Sequence, residues 1–310
     1  MSEPTPILLD CDPGHDDAIA LLLALASPEL ELLGVTTVAG NQTLEKTTAN
    51  ALRVLELVGR GDVPVAAGAD RPLARELFVA AYVHGETGLD GPDLPEPQGE
   101  PVAQHAVDFL AERVLGAGRP VTLVAVGPLT NVALFLARCP EAAANVGRIV
   151  IMGGAIAEGN VTPAAEFNVY VDPEAAWRVF RSGLPVTMIG LDVTHEALMT
   201  ATHAERLRSA GPTGRFVAEL YDFFKEYHRR TYGIEAAPIH DAVAVAHVLR
   251  PGIVETLPRH VDVDCESLLC RGRTVVDLWH RTGNESNADV GVGIDGDAFL
   301  ELLCERIASL

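Results

Sequence analysis

Positively charged residues are scarce in this chain. Its 310 residues contain 23 Lys and Arg against 43 Asp and Glu, which gives a formal net charge of −20. So acidic a protein repels phosphate, which argues against DNA, RNA or an anionic membrane as its partner and disfavours phosphorylated substrates. Long apolar runs are also missing, because the longest, from Ala18 to Ala26, is far shorter than the roughly 20 residues of a membrane-spanning helix.

Cysteine is equally sparse and shows no pairing pattern. The chain has five cysteines, an odd number without a CxxC pair: Cys11, Cys139, Cys265, Cys270 and Cys304. This usage favours reduced thiols over a disulfide framework. The first residues, Met-Ser-Glu-Pro, lack the pattern of a secretory signal peptide. We therefore expect a cytoplasmic protein.

The most informative stretch runs from Ile7 to Ala20. An apolar strand ends there in four closely spaced aspartates: Asp10, Asp12, Asp16 and Asp17. Pro13-Gly14 predicts a turn, and the apolar run that follows predicts a helix. Four carboxylates in a partly dry crevice repel one another at a cost of several kcal/mol unless a cation or protons lie among them. The stretch therefore predicts a hard metal ion, whereas a helix cap alone needs only one aspartate.

Strand and helix patterns alternate from the N-terminus to about residue 190, without a linker or a change of composition. The alternation predicts one α/β domain over residues 1–310, with a doubly wound, mostly parallel open sheet. Residues 201–249 are expected to be mainly helical. The tail predicts a small β-hairpin, 261–264 with 274–277, and then a last helix over 298–307.

Polar residues follow several of the predicted strands. Asn41 follows the second strand, and the loop after the strand at 149–154 contains three more: Asn160, Glu166 and Asn168. Ligands of open α/β sheets bind beyond the carboxyl ends of the strands, so these side chains are candidates for binding. An ordinary turn at Asn41 and a hydrated loop after the later strand are the alternatives. The irregular segment 68–101 contains glycines around His84 and predicts a binding loop.

Taken in order, these motifs closely resemble the nucleoside hydrolase family. They are Asp10-Cys-Asp-Pro-Gly-His-Asp-Asp17, Ala39-Gly-Asn41, the loop around His84, Val126-Gly-Pro-Leu-Thr-Asn131, Met152-Gly-Gly154, the segment 159–168 and Ile239-His-Asp241. The resemblance extends from about residue 6 to 300. His15, the run Gly85-Glu-Thr-Gly-Leu-Asp-Gly-Pro92 and Arg271-Gly-Arg-Thr274 make the chain most similar to the pyrimidine-preferring members.

The resemblance implies hydrolysis of the N-glycosidic bond of ribonucleosides to free base and ribose, with purine-preferring or broad specificity as the alternative. It also implies one Ca²⁺ per subunit, with these ligands: Asp12, both oxygens of Asp17, the backbone carbonyl of Val126, and Asp241. Asp10 would orient the ligands through hydrogen bonds. Asp12 would be the general base, because a metal-bound water loses its proton more easily near neutral pH.

Substrate contacts are implied in the same way. The ribose hydroxyls would be held by amide and carboxylate side chains: Asp16, Asn41, Asn160, Glu166 and Asn168. Met152 is expected to contact the substrate, and the base pocket is expected to contain His84, His228 and Tyr232, with Tyr227 close by. His240 is the candidate to contact or protonate the departing base, since imidazole can donate near pH 7. A structural role is the alternative for His240.

Relatives are commonly dimers or tetramers, so we expect a homotetramer or homodimer that binds a small ribonucleoside and neither nucleic acid nor membrane. Two other functions are alternatives. An Asp-x-Asp motif also opens haloacid-dehalogenase-like phosphatases, but that interpretation leaves Asp16, Asp17 and His240-Asp241 without a role. A nucleoside-binding protein without catalysis is less favoured, because every polar residue that the chemistry needs is present.

Overall fold

An eight-stranded sheet runs through the computed structural model, which describes residues 3–310. The strands of this range are β1 (Thr5–Cys11), β2 (Leu30–Thr37), β3 (Val65–Ala67), β4 (Val121–Ala125), β5 (Val146–Met152), β6 (Val186–Ile189), β7 (Leu198–Met199), β8 (Ala237–Pro238), β9 (Val254–Arg259), β10 (Val261–Val263), β11 (Thr274–Val276) and β12 (Ala288–Ile294). The large sheet has the order β3-β2-β1-β4-β5-β6-β12-β9, and its neighbours are parallel except for β12 and β9.

Helices connect most of these strands. They are α1 (His15–Leu25), α2 (Leu44–Leu57), α3 (Ala81–His84), α4 (Ala106–Gly116), α5 (Thr130–Arg138), α6 (Pro140–Ala143), α7 (Phe167–Val171), α8 (Pro173–Phe180), α9 (Leu191–Thr194), α10 (Ala201–Arg208), α11 (Pro212–Tyr232), α12 (His240–Leu249) and α13 (Gly296–Ile307). A 3₁₀ turn, Pro251–Ile253, precedes β9. No helix within residues 3–310 is both long and apolar enough to cross a bilayer.

The core lies on both faces of the sheet. In β1, Ile7 and Leu9 belong to one buried cluster with α1, α2 and α12, whereas Leu8 belongs to the other with α4, α5 and α8. Successive side chains of a strand point to opposite faces, so a strand that is covered on both faces is apolar throughout. This two-sided burial confirms the predicted doubly wound α/β sheet.

The topology gathers the predicted functional segments at one edge. Because β1, β2, β4 and β5 are parallel neighbours, the loops that follow them emerge side by side. The N-terminus of α12 reaches the same edge, since α12 packs against α1. Segments far apart along the chain therefore lie together beyond the carboxyl ends of four adjacent strands.

The predicted helical region and hairpin are confirmed, with α10, α11 and α12 in the first and the antiparallel pair β10 and β11 in the second. Strands β9 and β12, which complete the large sheet, are absent from the sequence prediction. Apolar residues alternate in β12, but glycines at the intervening positions 291 and 293 lower its strand propensity, and Pro258 lies in β9, which is an edge strand. Residues 1–2, included in the predicted domain and in the signal-peptide argument, lie outside the described residues.

Candidate active site

The turn between β1 and α1 is built around Asp17. Its Oδ1 accepts a hydrogen bond from the main-chain N–H of Asp12 at 2.9 Å, and its Oδ2 accepts one from Gly14 at 3.0 Å. The N–H groups at the start of a helix have no partner within the helix, so a carboxylate there stabilises the turn. Asp17 thereby fixes the position of Asp12 relative to α1.

Asp12 lies in a narrow cradle. Its Oδ2 accepts the main-chain N–H of Asn41 at 2.6 Å, and the Asn41 side-chain amide donates to the Asp12 carbonyl at 3.2 Å and to Asp17 at 3.0 Å. The other oxygen, Oδ1, is shielded from solvent and has no hydrogen-bond partner in residues 3–310. A Cβ on Gly127 would lie 2.5 Å from that oxygen, and a Cβ on Gly40 would lie 2.2 Å from Oδ2. Only glycine therefore fits beside this carboxylate.

Three further carboxylates converge next to Asp12. Asp16, Asp17 and Asp241 each offer one oxygen, and these oxygens lie within 4.8 Å of one another. Burial, and then the negative charge of Asp17, raises the pKa of Asp16 to about 8. Burial and the charges of Asp16, Asp17 and Asp12 raise the pKa of Asp241 well above its usual value. The carboxylates cannot all ionise together unless a cation compensates their charge.

Asp10 lies behind this cluster. Its Oδ1 accepts hydrogen bonds from the Thr36 hydroxyl at 2.5 Å and the Asn131 amide at 2.8 Å. Its Oδ2 is shielded and has no partner among the described residues. Burial raises the pKa of Asp10 to about 7, and the two hydrogen bonds oppose the shift.

The donor set of this edge fits a hard divalent cation. It consists of buried carboxylate oxygens together with the backbone carbonyl of Val126, which lines the crevice and accepts the Asn168 amide at 2.8 Å. Oxygen donors of this kind are those that Ca²⁺ prefers. The closest trio contains Asp16, which the sequence analysis assigned to ribose, while Asp12 adjoins the trio through Asp17.

The loop from β5 to α7 supplies the opposite wall. Glu166 caps α7, because Oε1 accepts the N–H of Asn168 at 2.9 Å and Oε2 accepts those of Gly154 at 2.9 Å and Val169 at 3.1 Å. Burial raises its pKa to about 7. The Asn160 side chain accepts the N–H of Phe167 at 2.9 Å. These polar side chains are therefore held rigidly at the crevice by main-chain contacts.

The crevice itself encloses about 640 Å³, part of it open to solvent. It brings together every residue that the sequence analysis assigned to substrate or to the leaving base: Asp16, Asn41, His84, Met152, Asn160, Glu166, Asn168, His228, Tyr232 and His240. Asp10, Asp12 and Asp17 lie behind its surface, almost completely buried. One end of the crevice is therefore rich in oxygen atoms and the other in histidine and aromatic rings.

His240 lines the crevice at the start of α12, directly before Asp241 in the chain. Its Nδ1 is 2.7 Å from the Thr194 hydroxyl, and the ring of His195 packs edge-on with centroids 5.6 Å apart. Burial lowers the pKa of His240 well below its usual value, so the ring is neutral near pH 7. A neutral imidazole carries one N–H and can act as a hydrogen-bond donor.

Helix α11 forms the aromatic wall. Phe224, Tyr227 and His228 are spaced three and four residues apart, which places them on one face of the helix. His228 Nδ1 donates to the Phe224 carbonyl at 3.0 Å, and its ring stacks on Tyr232 with centroids 5.8 Å apart. Burial is the main cause that raises the pKa of Tyr232 to about 12.

Sequence reasoning missed several residues that line the crevice, including Tyr82, Phe224 and His195. The spacing of Phe224 relative to His228 is a helical signal that could have identified the first of the α11 contacts. Tyr82 and His195 carry no such signal, because they belong to the short helix α3 and to the turn after α9.

Comparison with known proteins decides the family. The model of the family described as "Inosine-uridine preferring nucleoside hydrolase" matches residues 7–301. The chain belongs to this family. The nucleoside hydrolase fold and the family resemblance expected from the sequence are thus confirmed, and the chain is an enzyme that acts on nucleosides.

Among related sequences, the pyrimidine-specific ribonucleoside hydrolase RihA of Salmonella agona is 55% identical over 304 residues, covering 97% of this chain and 98% of that protein. The RihA of Citrobacter koseri is 54% identical over 305 residues, 98% of each chain. Among solved structures, a purine-preferring ribonucleoside hydrolase from Gardnerella vaginalis is 37% identical with a TM-score of 0.92, covering 98% of both chains. The plant nucleoside hydrolase PpNRh1 is 35% identical with a TM-score of 0.91, covering 98% of this chain and 99% of that one.

Proposed function

We propose that this nucleoside hydrolase cleaves uridine and cytidine to free base and ribose with the help of one Ca²⁺ per subunit. The observation that carries the proposal is the crevice, in which buried carboxylates face a wall of histidine and aromatic rings. The pyrimidine preference is supported by 55% identity to proteins named pyrimidine-specific. A purine preference is the second candidate, supported by the likeness to the purine-preferring enzyme of Gardnerella vaginalis.

The Ca²⁺ ligands in this proposal are Asp12, Asp17, the carbonyl of Val126, and Asp241, with Asp10 orienting them. Support comes from the unpartnered, shielded Oδ1 of Asp12 and from the high pKa values of the clustered carboxyls, which disfavour leaving the cluster uncompensated. When bound, Ca²⁺ supplies a coordinated water of lowered pKa and an anchor for the ribose diol.

Asp12 is the general base in this account. Burial and the charge of Asp17 raise the pKa of its carboxyl well above the usual value, so its ionised form has a high affinity for a proton. Oδ1 is the oxygen that would take the proton, since it has no hydrogen-bond partner in residues 3–310 and Oδ2 is held by the Asn41 N–H. Because Oδ1 is shielded from solvent, the attacking water would have to be held next to it inside the site. The surrounding carboxylates favour a sugar that develops positive charge, as N-glycosidic cleavage requires.

Ribose recognition is assigned to the polar side chains of the crevice: Asp16, Asn41, Asn160, Glu166 and Asn168. Main-chain hydrogen bonds hold Glu166 and Asn168 in place before substrate arrives, which lowers the entropic cost of binding. A 2′-deoxy substrate leaves a buried polar partner unpaired, so the site discriminates against deoxyribose.

The leaving base is assigned to the end of the crevice that is rich in histidine and aromatic rings. His240 contacts or protonates it, and Met152, His84, His228 and Tyr232 surround it. Their common position on the crevice wall supports these contacts, and the neutral His240 ring has one N–H that can donate a hydrogen bond to the base. Protonation of the base by His240 requires the imidazolium form, which the lowered pKa disfavours.

The enzyme is further proposed to be a cytoplasmic homodimer or homotetramer of a single domain. Free cysteines support the location, since none of the five forms a disulfide in the described structure. Leu268, Leu269 and Trp279 are more than three-quarters exposed, and such apolar side chains favour a subunit contact. Sedimentation equilibrium measures the assembly, and a monomer at micromolar concentration would contradict it.

The deciding experiment measures kcat/KM for uridine, cytidine, inosine, adenosine and their 2′-deoxy forms. We expect uridine and cytidine to exceed inosine by about tenfold or more, and each 2′-deoxy form to fall by about 100-fold, the effect of an unpaired buried polar group. A higher value for inosine would favour the purine candidate. Release of phosphate from p-nitrophenyl phosphate without nucleoside cleavage would refute both.

A further inference from the structure

Two histidine rings are in direct contact beneath the base end of the crevice. Nδ1 of His15 lies 3.0 Å from Nδ1 of His84, and the rings stack with centroids 5.3 Å apart. Two nitrogens at this distance need one hydrogen between them, because two lone pairs would repel. This hydrogen belongs either to His15 or to His84.

The contact made by the other nitrogen of His15 decides between the two rings. His15 Nε2 lies 2.8 Å from the carbonyl oxygen of Asp90, which can only accept, so Nε2 carries a hydrogen. His15 is fully buried and stacks on Phe223 and Phe224 at 5.1 and 5.5 Å, and no carboxylate oxygen lies within 4 Å of its ring nitrogens in residues 3–310. The ring is therefore neutral, and its Nδ1 is an acceptor.

It follows that His84 carries its hydrogen on Nδ1 and donates it to His15. The main-chain N–H of His15 also points at His84 Nδ1 at 3.3 Å, a longer contact in which Nδ1 would be the acceptor. If that longer contact used the Nδ1 lone pair, the hydrogen between the rings would have to belong to His15, which would then hold a positive charge between two phenylalanine rings. The shorter contact with a neutral His15 avoids that buried charge.

His84 then presents a lone pair to the substrate. Its Nε2 makes no hydrogen bond among the described residues and is not shielded from solvent, so it faces the crevice that His84 lines. We propose that His15 is a positioning residue, which, through Asp90 and the stacked phenylalanines, holds His84 as the tautomer whose Nε2 accepts a hydrogen bond from the nucleoside base. The contact with the base rests on the proposed function, whereas the tautomer does not.

The loop that carries Asp90 is itself anchored. The Asp90 carboxylate accepts the main-chain N–H groups of Glu86 and Thr87 at 3.0 Å each, and Asn50 bridges the carbonyls of Thr87 and Pro13 at 2.9 and 3.0 Å. The Asp90 carbonyl is therefore held at a fixed place relative to the turn that carries His15. A carbonyl in a fixed position is required to hold His15, and through it His84, in a single tautomer.

A matched pair of variants separates the two contacts of His15. In His15→Asn the side-chain oxygen lies near the place of Nδ1 and can still accept from His84, whereas in His15→Gln the amide lies near the place of Nε2 and can bind only Asp90. We expect His15→Asn to keep kcat/KM for uridine within about threefold and His15→Gln to lose about tenfold, roughly the value of one hydrogen bond. Equal losses in both variants would overturn the positioning role.

Nitrogen-15 NMR of the unsubstituted, histidine-labelled protein measures the tautomer of His84 directly. The His84 signals are assigned by their absence from His84→Gln, and long-range proton–nitrogen correlations report which ring nitrogen is protonated. Protonated Nδ1 and unprotonated Nε2 support the proposal, and the reverse pattern overturns it. If the unsubstituted protein cleaves no ribonucleoside, the proposed function fails, while the spectrum still decides the tautomer.

Discussion

Asp12 and Asp17 are neighbours at the floor of the crevice, yet their hydrogen bonds differ. Both oxygens of Asp17 are engaged by main-chain N–H groups, whereas Oδ1 of Asp12 has no partner in residues 3–310. Asp17 is thus suited to hold the turn and to carry negative charge. Asp12 retains an oxygen without a hydrogen-bond partner that can receive a proton, which supports the base role proposed for it.

Replacing Asp12 with Asn tests this assignment. We expect kcat for uridine to fall by about 100-fold or more, the usual contribution of a general base, with a melting temperature in chelator that stays the same or rises as one of the mutually repelling carboxyls is removed. Asp93→Asn, an exposed aspartate outside the crevice, is the control and should leave kcat unchanged. A kcat for Asp12→Asn within a few-fold of the unsubstituted enzyme would reject the base role.

Glu166 gives the protein a pH-dependent stability. Burial raises its pKa from 4.5 to about 7, so between these pH values the folded state binds a proton that the unfolded state has released. Stability therefore falls as pH rises through this window, by about 3 kcal/mol for this group. In chelator, we expect unfolding free energies at pH 5 and pH 8 to differ less in Glu166→Gln than in the unsubstituted protein.

Glu166→Gln also loses acceptors for the N–H groups of Gly154 and Val169, so it is expected to be less stable at every pH. The test is therefore the change of unfolding free energy with pH and not its absolute value. Glu45→Gln, at an exposed position in α2, is the control and should keep the original slope. An unchanged slope in Glu166→Gln would show that the buried carboxyl does not titrate in this range.

At the scale of elements, the strand-to-helix turns were the most predictable part of the site. Strand β1 is apolar on both faces and ends at the aspartates, so the sequence alone places Asp12 and Asp17 at the sheet edge. The wall formed by α11 was predicted only in part, since helical spacing identifies a face without showing what it covers. Strands β9 and β12 were missed because the proline of β9 and the glycines of β12 lower their strand propensity.

Gly14 shows how closely the turn and the crevice wall approach each other. A Cβ at this position would lie 2.7 Å from Nδ1 of His84 and 2.8 Å from the side-chain amide of Asn41, so one of the two must move. We expect Gly14→Ala to lower kcat/KM for uridine by about tenfold or more, since crowding a packed site displaces the groups that bind substrate. Gly61→Ala, where no atom lies within 4 Å, should behave like the unsubstituted enzyme.

The end of α11 is expected to control binding of the base more than the chemical step. Tyr232 lines the crevice and is 47% exposed, so removing its ring leaves the carboxylate end intact. We expect Tyr232→Ala to raise KM for uridine by about fivefold to tenfold with little change in kcat, the pattern of a lost stacking contact. Leu115→Ala, on the exposed face of α4, is the control. A lower kcat with unchanged KM would argue against a base-binding role.

At the scale of the whole molecule, the parallel order of β2, β1, β4 and β5 converts four separate motifs into one site. The fold class and the polar residues at strand ends were predictable because single segments of the sequence show them. The residues around the base, His84, His228, Tyr232 and His240, were expected only from the resemblance to the family. The sequence does not show how far apart two segments lie in the folded protein. The trio of Asp16, Asp17 and Asp241, the contact of His15 with His84, and the place of His195 beside His240 each depend on tertiary packing.

The net charge of −20 acts at the same scale. Part of this formal charge belongs to buried carboxyls, and the raised pKa values of Asp12, Asp16 and Asp241 show that ionising them together is unfavourable. A bound divalent cation relieves this repulsion. Binding of the cation is therefore expected to stabilise the folded protein as well as to activate the enzyme. At a Ca²⁺ concentration of 100 times its dissociation constant, the stabilisation is about 2.7 kcal/mol.

The most direct test of the account is a Ca²⁺ titration of chelator-treated enzyme, in which calorimetric binding and uridine hydrolysis are followed together. We expect turnover to vanish in chelator and to return as one Ca²⁺ binds per subunit, with neither binding nor recovery in Asp241→Asn. Full turnover in chelator, or recovery of activity by the Asp241→Asn variant, would contradict the central claim that these buried carboxylates hold the ion on which hydrolysis depends.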